Sequence, residues 1–530
     1  MTDTNDAGST IMHPSAENPD PHRVYIKEVE GHQRRYRRLI HFTHSSTRAA
    51  GIMLLAAIAA LVVANTAAYG PFHEFWHTSV YIGFGDAVAK MSLAHIINDI
   101  FMAVFFLLVG LEIKYEMTVG ELTNIRQAAL PIIAAVGGVA APIVIYLLFN
   151  AGNLSTVHGW GVPTATDIAF ALGIMALLGS RVPNGLRVFL STLAVADDII
   201  AILVIAVFYG QSPSLVWLAA AAVVLIVLIA MNRAHIYSLV PYLLVGCVLW
   251  FCVFMSGVHA TIAGVLLAFT IPSSSRVNLS GFLNWSDARM REARAVYDDD
   301  APVMAQSDYL ETVRNVAHVS RQVIPPATRL EHKLYPWVYF AVLPLFALTN
   351  ADVTLAGGDV AEMMQSTVFL GVFFGLVIGK PVGILALSFL TVKLKIAKLP
   401  ENVNWMHMLG AAILGGVGFT MAIFVANLAY DFDIFIAEAK FGILLASFVA
   451  GVVGFLFLLT QAKAAEKRGV AYLTTQGAEV CRQTAGAEAA REAEEIIDAF
   501  EDEELERQIA SAQRAGGGVT EIVLEERAGK

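Results

Sequence analysis

Charge is what this chain has least of. Asp, Glu, Lys and Arg make up 15% of its 530 residues against 56% hydrophobic, and the mean hydropathy is +0.62. Soluble domains carry about 25% charged residues, so an aqueous globular fold is excluded and a lipid-embedded one indicated. Cysteine is scarce too. Cys247 and Cys252 fall in an apolar segment and Cys481 in a polar one, with no metal-ligand spacing, which leaves neither a disulfide framework nor a zinc site to expect. A cleavable signal is also missing from the reading: a polar stretch with Arg34, Arg35, Arg37 and Arg38 precedes the first apolar run, which is taken as a signal anchor. The net charge of −10 is mostly local, because Ala464–Lys530 holds 15 acidic against 8 basic residues. That acidity belongs to a solvated tail, and no nucleic acid is expected as a partner.

What the chain does have is long hydrophobic runs. Twelve candidate spans lie near 48–69, 92–114, 126–149, 164–179, 187–209, 214–232, 236–254, 257–271, 335–350, 364–391, 405–428 and 439–461. Basic residues cluster in alternate connections: Arg34–Arg38, Lys114 with Arg126, Arg181 with Arg187, Arg233, the 273–334 stretch, Lys393–Lys398 and Lys463–Arg468. The connections at about 151–163, 210–213 and 351–363 have no Lys or Arg. The positive-inside rule then puts both termini in the cytoplasm. The expected organisation is a cytoplasmic N-terminal tail over 1–44, a transmembrane domain over 45–462 with a polar cytoplasmic insertion at 273–334, and an acidic cytoplasmic tail over 463–530. The insertion has room for short amphipathic helices, and 486–514 reads as a charged surface helix or a disordered tail. SVYIGFGDAV, from Ser79, suits a short external hairpin.

Asp197 and Asp198 are adjacent in the middle of one span, FLSTLAVADDIIAILVIAVFYG. An ionisable group at membrane depth costs about 2.5–3.5 kcal/mol, so two in a row mark a cation or proton site. Helical neighbours point about 100° apart, which lets one carboxylate face a cavity while the other turns to a partner. Lys380, in GLVIGKPVGIL, is the lone ammonium that needs such a partner; the plainer alternative is that it snorkels to the cytoplasmic face.

Two spans are interrupted. Thr164, Thr166 and Asp167 break the start of the fourth, and Gly415, Gly416, Gly418 and Thr420 break the eleventh. Backbone leaves the helix at this depth only where it lines a cavity or is buried in protein. In the tenth span Gly371, Gly375, Gly379 and Gly383 recur every fourth residue, a ladder read as close helix packing.

FFLLVGLEIK (from Phe105), TDIAFALGIMALLGSRVP (from Thr166), LAVADDIIAI (from Leu193), SGVHATIAG (from Ser256), RLEHKLYPWV (from Arg329), IGKPVGI (from Ile378) and GVGFTMAIFVANLA (from Gly416) follow one another in order. Together they resemble the NhaA-type sodium/proton antiporters over about 45–462, a family itself among the founding cases for paired interrupted helices. The resemblance implies an all-α polytopic membrane protein of about twelve helices, with inverted repeats and two interrupted, crossing helices. It implies electrogenic exchange of external protons for cytoplasmic sodium or lithium across a bacterial inner membrane, serving pH and sodium homeostasis.

By position, the resemblance makes Asp198 the central cation-binding carboxylate and Asp197 its neighbour, paired with Lys380; both would hold sodium transiently. Asp167 and Thr166 match residues at the crossing, Asp99 a conducting-funnel acid, and Glu112, Glu116, His259 and Glu331 positions linked to pH response. The chain departs from the pattern at Tyr115 and Tyr335, and in its insertion and acidic tail, which bears on the pH set-point. Each site also has a plainer reading. Asp167 can cap a helix N-terminus, His259 can be a hydrogen-bonded structural histidine, Glu112, Lys114 and Glu116 a helix-end charge set, and Asp99 interfacial.

No enzyme and no resident cofactor are expected; sodium, lithium and protons are cargo, the lipid bilayer is the environment, and a homodimer through the hairpin near 78–90 is the expected assembly. Two carboxylates, the Thr166 hydroxyl, backbone carbonyls and water supply the oxygens a hard cation needs. Protons and sodium then exclude each other from one coupled site. Other classes fit less well. Gly83–Asp86 and Tyr430–Asp431 resemble the signatures of an intramembrane aspartyl protease, but in the wrong order and at external span ends. A passive channel has no use for a titrating pair tied to a lysine, and sodium-coupled transport of another solute is the remaining alternative.

Overall fold

Backbone amides in hydrocarbon have no water to bond, so apolar runs of this length must satisfy themselves as helices. A computed structural model describes the chain over residues 46–467, apart from 85–86, 124, 211–212, 276, 299–300, 355–359 and 401. The terminal tails, with the charged 486–514 segment, lie outside the described residues, as do Gly85 and Asp86.

The order begins with α1 (Ser46–Ala64), α2 (Tyr69–His77), the strands β1 (Ser79–Phe84) and β2 (Ala87–Ser92), α3 (Leu93–Thr118) and α4 (Ile125–Asn150). It continues with α5 (Ile168–Ala176), α6 (Asn184–Phe208), α7 (Leu215–Arg233), α8 (Leu239–Met255) and α9 (Thr261–Thr270). Next come α10 (Leu279–Val296), α11 (Ser307–Val323), α12 (Pro326–Trp337) and α13 (Leu343–Asn350). The last are α14 (Val360–Gln365), α15 (Thr367–Lys393), α16 (Trp405–Gly415), α17 (Phe419–Ala429) and α18 (Asp433–Lys467). Seven of these helices are long and apolar enough to cross a bilayer, and the pair α16–α17, bent by 45°, makes up to eight. The shorter apolar helices α8 and α9, the broken segment ending in α5, and the α12–α13 run occupy the other four expected positions. The chain is a multi-pass, almost wholly helical membrane protein.

Three details differ from the sequence reading. Val157–Thr164, expected as the end of a connection at about 151–163 and the first residue of the fourth span, is a 3-10 helix whose Gly159, Gly161, Val162, Pro163 and Thr164 are buried. VHGWGVPT has no apolar run to betray it. The ninth span starts at Pro326, so Glu331 sits inside its helix and not in the loop before it. The insertion is built, with α10 packed on α11; the rings of Tyr297 and Tyr309 meet at 5.0 Å in a tilted contact and Gln306 bonds the backbone of Asp298 and Ala301 to close the turn. The hairpin takes its expected place, antiparallel from Ser79 opposite Ser92 to Phe84 opposite Ala87.

Two π-turns share one local cause. Val338–Val342 precedes Leu343–Pro344, and Gly375–Gly379 precedes Lys380–Pro381. Proline cannot donate to the preceding turn. In both cases the residue before it bonds five residues back instead, Leu343 to Val338 and Lys380 to Gly375. The insertion of one residue per turn swings the following side chain, here Lys380, to a new face.

The glycine ladder does what its spacing suggests. Gly371 lies against Tyr146 and Asn150, Gly375 against Pro163, Gly379 against Pro142 and Gly383 against Gly137, so α15 runs along α4 at backbone distance. A Cβ at Gly383 would stand 2.0 Å from the Gly137 carbonyl oxygen, and one at Gly137 2.2 Å from that of Gly383. Neither carbonyl can rotate away. Gly383→Ala is therefore expected to destabilise the detergent-solubilised protein by about 1–3 kcal/mol, read as a lower melting temperature. Gly51→Ala, which meets nothing within 4 Å, is expected to melt with the wild type.

Candidate functional site

The two breaks face each other. Ala165 and Asp167 take extended backbone after the 3-10 helix, while Gly416, Val417 and Gly418 interrupt the other span. The Asp167 amide donates to the Val417 carbonyl at 2.8 Å, and the Thr166 hydroxyl lies 3.1 Å from the Gly415 carbonyl oxygen. Glycine is needed here for space. A Cβ at Gly416 would come within 2.6 Å of the Leu376 carbonyl oxygen, and one at Gly418 within 3.1 Å of that of Ala165. The backbone groups freed by each break are thus taken up partly by the other.

Asp167 caps two helices at once. Its Oδ1 accepts from the Phe170 amide at 3.0 Å, at the start of α5, and its Oδ2 accepts from the Thr420 amide at 3.2 Å and the Thr420 hydroxyl, at the start of α17. Helix N-termini carry about half a positive charge each, so one carboxylate answers both. The opposite end is answered by Lys380, whose Nζ donates to the Thr164 carbonyl at the end of the 3-10 helix.

Lys380 is fully buried and does not snorkel. It pairs with Asp197 at 3.0 Å, both side chains at 0% exposure. The Thr166 hydroxyl also donates to Asp197 Oδ2, at 2.7 Å. Asp198, the next residue along α6, turns away from these donors, as the 100° step requires. Its Oδ1 is buried with no hydrogen-bond partner, as is the Oδ1 of Asp197, and of the charges that act on Asp198 those of Asp197, Glu112 and Asp167 are of like sign and that of Lys380 opposes them. Three buried carboxylates thus share one ammonium and two helix N-termini, and Asp198 is the one left over. No cluster of three or more His, Cys, Asp or Glu side chains with metal-holding geometry occurs among the described residues, so a cation here would lean on backbone and hydroxyl oxygens as well.

The other predicted residues divide into two groups. Glu112, Glu116 and Glu331 stand within electrostatic reach of one another, and the Tyr339 hydroxyl points at Glu112 Oε1 from 3.5 Å. Their neighbour Lys114 turns elsewhere, its Nζ donating to the carbonyls of Phe269 at 2.9 Å and of Ile271 and so capping the C-terminus of α9. Asp99 lies in the π-turn Ile96–Phe101, within electrostatic reach of His95 and His259. His259 Nε2 is 2.7 Å from the Tyr209 carbonyl oxygen, the structural hydrogen bond that its plainer reading described. Asp431 stands exposed in the turn after α17.

Sequence reasoning missed a second polar knot. Asn350 exchanges hydrogen bonds with Asn98, 2.8 Å and 3.3 Å, and its Oδ1 also accepts from Asn427 at 2.7 Å. It ties the helix segment beside Asp99 to the far half of the second broken span. The only sequence signal was three asparagines in three apolar runs.

Comparison with known proteins gives the family. The profile of the family described as Na+/H+ antiporter 1 matches residues 40–458. A Na(+)/H(+) antiporter NhaA of Wolinella succinogenes is 40% identical over 430 residues, which is 81% of this chain and 94% of the relative. Those of Oleidesulfovibrio alaskensis, 45% identical over 77% of this chain and 90% of the relative, and of Helicobacter pylori strain J99, 42% over 81% and 96%, are similarly close. With a profile match across most of its length and relatives at this identity over nearly their whole span, the chain belongs to the Na+/H+ antiporter 1 family.

Proposed function

We propose that this protein exchanges sodium, or lithium, for protons across a bacterial inner membrane, with both termini cytoplasmic, and that both ions compete for the carboxylates at the crossing. What carries the reading is the uncompensated carboxylate of Asp198, buried beside an ion pair where two helices break. The names of the relatives support the same exchange.

In this reading Asp198 is the group that takes either a proton or the cation, and Asp197, with the Thr166 hydroxyl and nearby carbonyls, completes the oxygen set. Asp167 holds the two half-helices in register. Lys380 keeps Asp197 ionised when no cation is bound; cation entry weakens that pairing. A cluster of two carboxylates and an ammonium sheds more than one proton per monovalent cation, so the exchange moves net charge. No covalent step and no resident cofactor enter the scheme. Asp99 lies on the approach from one side, and Glu112, Glu116, His259 and Glu331 adjust activity with pH. The hairpin near 78–90 is a sheet of two strands among the described residues, suited to pairing with the same hairpin of a second copy.

Reconstituted vesicles with an acid interior test the exchange directly: their pH gradient should collapse on adding sodium but not choline. Asp198→Asn keeps the shape of the side chain but cannot cycle a proton. It is expected to insert normally and to fall below about one tenth of the wild-type rate at saturating sodium, a loss of at least ~1.4 kcal/mol in transition-state terms. A rate above that level removes Asp198 from its central place.

Lys380→Ala leaves Asp197 buried without its partner, at a cost of about 3–5 kcal/mol if that group stays charged. Thermal unfolding in detergent should show the loss, and Asp197→Asn combined with Lys380→Ala should recover part of it. Strictly additive losses in the double variant would mean that the two groups are not coupled.

Competition has a kinetic signature as well. Each unit of pH below the site's titration range should raise the apparent sodium KM about tenfold per competing proton, while the maximal rate changes little. Control through a separate sensor at Glu112, Glu331 or His259 would instead move the maximal rate at fixed KM. Sodium titrations at several pH values separate the two, and a KM flat from about pH 6 to pH 8 excludes the shared site.

A further inference from the structure

Behind the crossing, on the side away from Asp197 and Asp198, α1, α5 and α18 leave a groove of about 530 Å³. Its walls are apolar almost throughout, from Leu54 and Ile58 on α1 to Phe448 and Phe455 on α18. The one polar group is the Ser447 hydroxyl, already engaged by the Phe419 amide at 3.0 Å. Along α18 the lining recurs from Phe441 to Leu456, so the groove follows the helix for about 22 Å, more than the roughly 15 Å of one leaflet's hydrocarbon.

We propose that this groove holds one acyl chain of a bilayer phospholipid, and that the chain bears on the moving part of the site. Three observations carry it. The two long walls, α1 and α18, are helices apolar enough to span a membrane, and Leu54, Ile58, Leu177 and Phe448 are 42%, 47%, 60% and 67% exposed, so the opening faces hydrocarbon and not water. A space this apolar does not hold water, and a cavity of about 150 Å³ already accepts benzene, so the mobile hydrocarbon beside it enters and restores the lost dispersion contacts. The floor is then decisive. Phe170 and Phe419 form the inner wall with ring centroids 5.5 Å apart; the Phe170 amide bonds Asp167, and Phe419 is the first residue of α17, next to Thr420. A Cβ at Gly451 on α18 would point at Ile174, 3.0 Å away, and at Val417, whose carbonyl accepts from Asp167.

A chain of methylenes yields as this floor shifts, whereas a rigid side chain in its place would not. The coupling rests on the antiport reading; occupancy does not. The full-length protein, reconstituted with a trace of phospholipid carrying a diazirine in one acyl chain, is irradiated and the adducts mapped by mass spectrometry. Labelling concentrated on Phe170, Phe448 and Phe455, above that of Leu218, Val223 and Ile226 on the equally lipid-facing α7, is expected. Even labelling of both faces, or crosslinks from the groove to a second copy of the protein, overturns occupancy by a lipid. Gly451→Phe and, from the open rim, Ile58→Trp fill the groove without touching the carboxylates. Each should abolish the groove labelling and lower the maximal sodium-driven rate about tenfold at an unchanged KM. Loss of labelling with a wild-type rate in either folded variant overturns the coupling, and a wild type that is labelled in the groove but shows no sodium-driven exchange fails the antiport reading instead.

Discussion

Backbone that leaves the helix inside a bilayer must find its hydrogen bonds elsewhere, and in this chain the two breaks find them in each other. Asp167 supplies most of the join. Its amide reaches the Val417 carbonyl, and its carboxylate takes the first turns of α5 and α17. The two half-helices are therefore one mechanical unit: separating them would strand two N-termini in hydrocarbon together with an unpaired charge. The ion pair of Lys380 with Asp197 and the Thr166 hydroxyl are gathered at that unit, and the glycines at the breaks are there because the backbones need the room.

That arrangement sorts charges that composition alone cannot distinguish. Asp167 is answered by helix ends, Asp197 by Lys380 and Thr166, and Asp198 by nothing comparable. In a low-dielectric interior an unanswered carboxylate is unstable as an anion, and it gains most from either of two small cations. Under the proposed exchange, the choice between a protonated state and a cation-bound state would follow from what the neighbours already bond.

Much of this was legible in the sequence. Adjacent aspartates inside an apolar run, a lone lysine in another and two interrupted spans gave the parts, and the 100° step between neighbours gave the division of labour between Asp197 and Asp198. What could not be read was geometry created by cancellation. The π-turn ahead of Lys380 depends on Pro381 lacking an amide hydrogen, a local rule visible only once the helix is known to continue through it. The 3-10 helix Val157–Thr164 reads as a connection over most of its length because its burial comes from packing and not from an apolar run. The Asn98–Asn350–Asn427 knot joins positions far apart in the chain, and Lys114 spends its charge on carbonyls of α9, while Glu112 and Glu331 stand as like charges within electrostatic reach of each other.

The same logic separates rigid from movable. The α4–α15 contact is backbone against backbone through Gly137 and Gly383 and tolerates no displacement, so Lys380 and the 3-10 helix it caps travel with α4. On the other side, the crossing meets α1 and α18 around an apolar groove through side chains and the hydrogen bond from the Phe419 amide to the Ser447 hydroxyl, a more compliant boundary than backbone against backbone. An alternation that exposes Asp198 first to one side and then to the other has to use the compliant boundary. The rigid face can only carry the ion pair along with it.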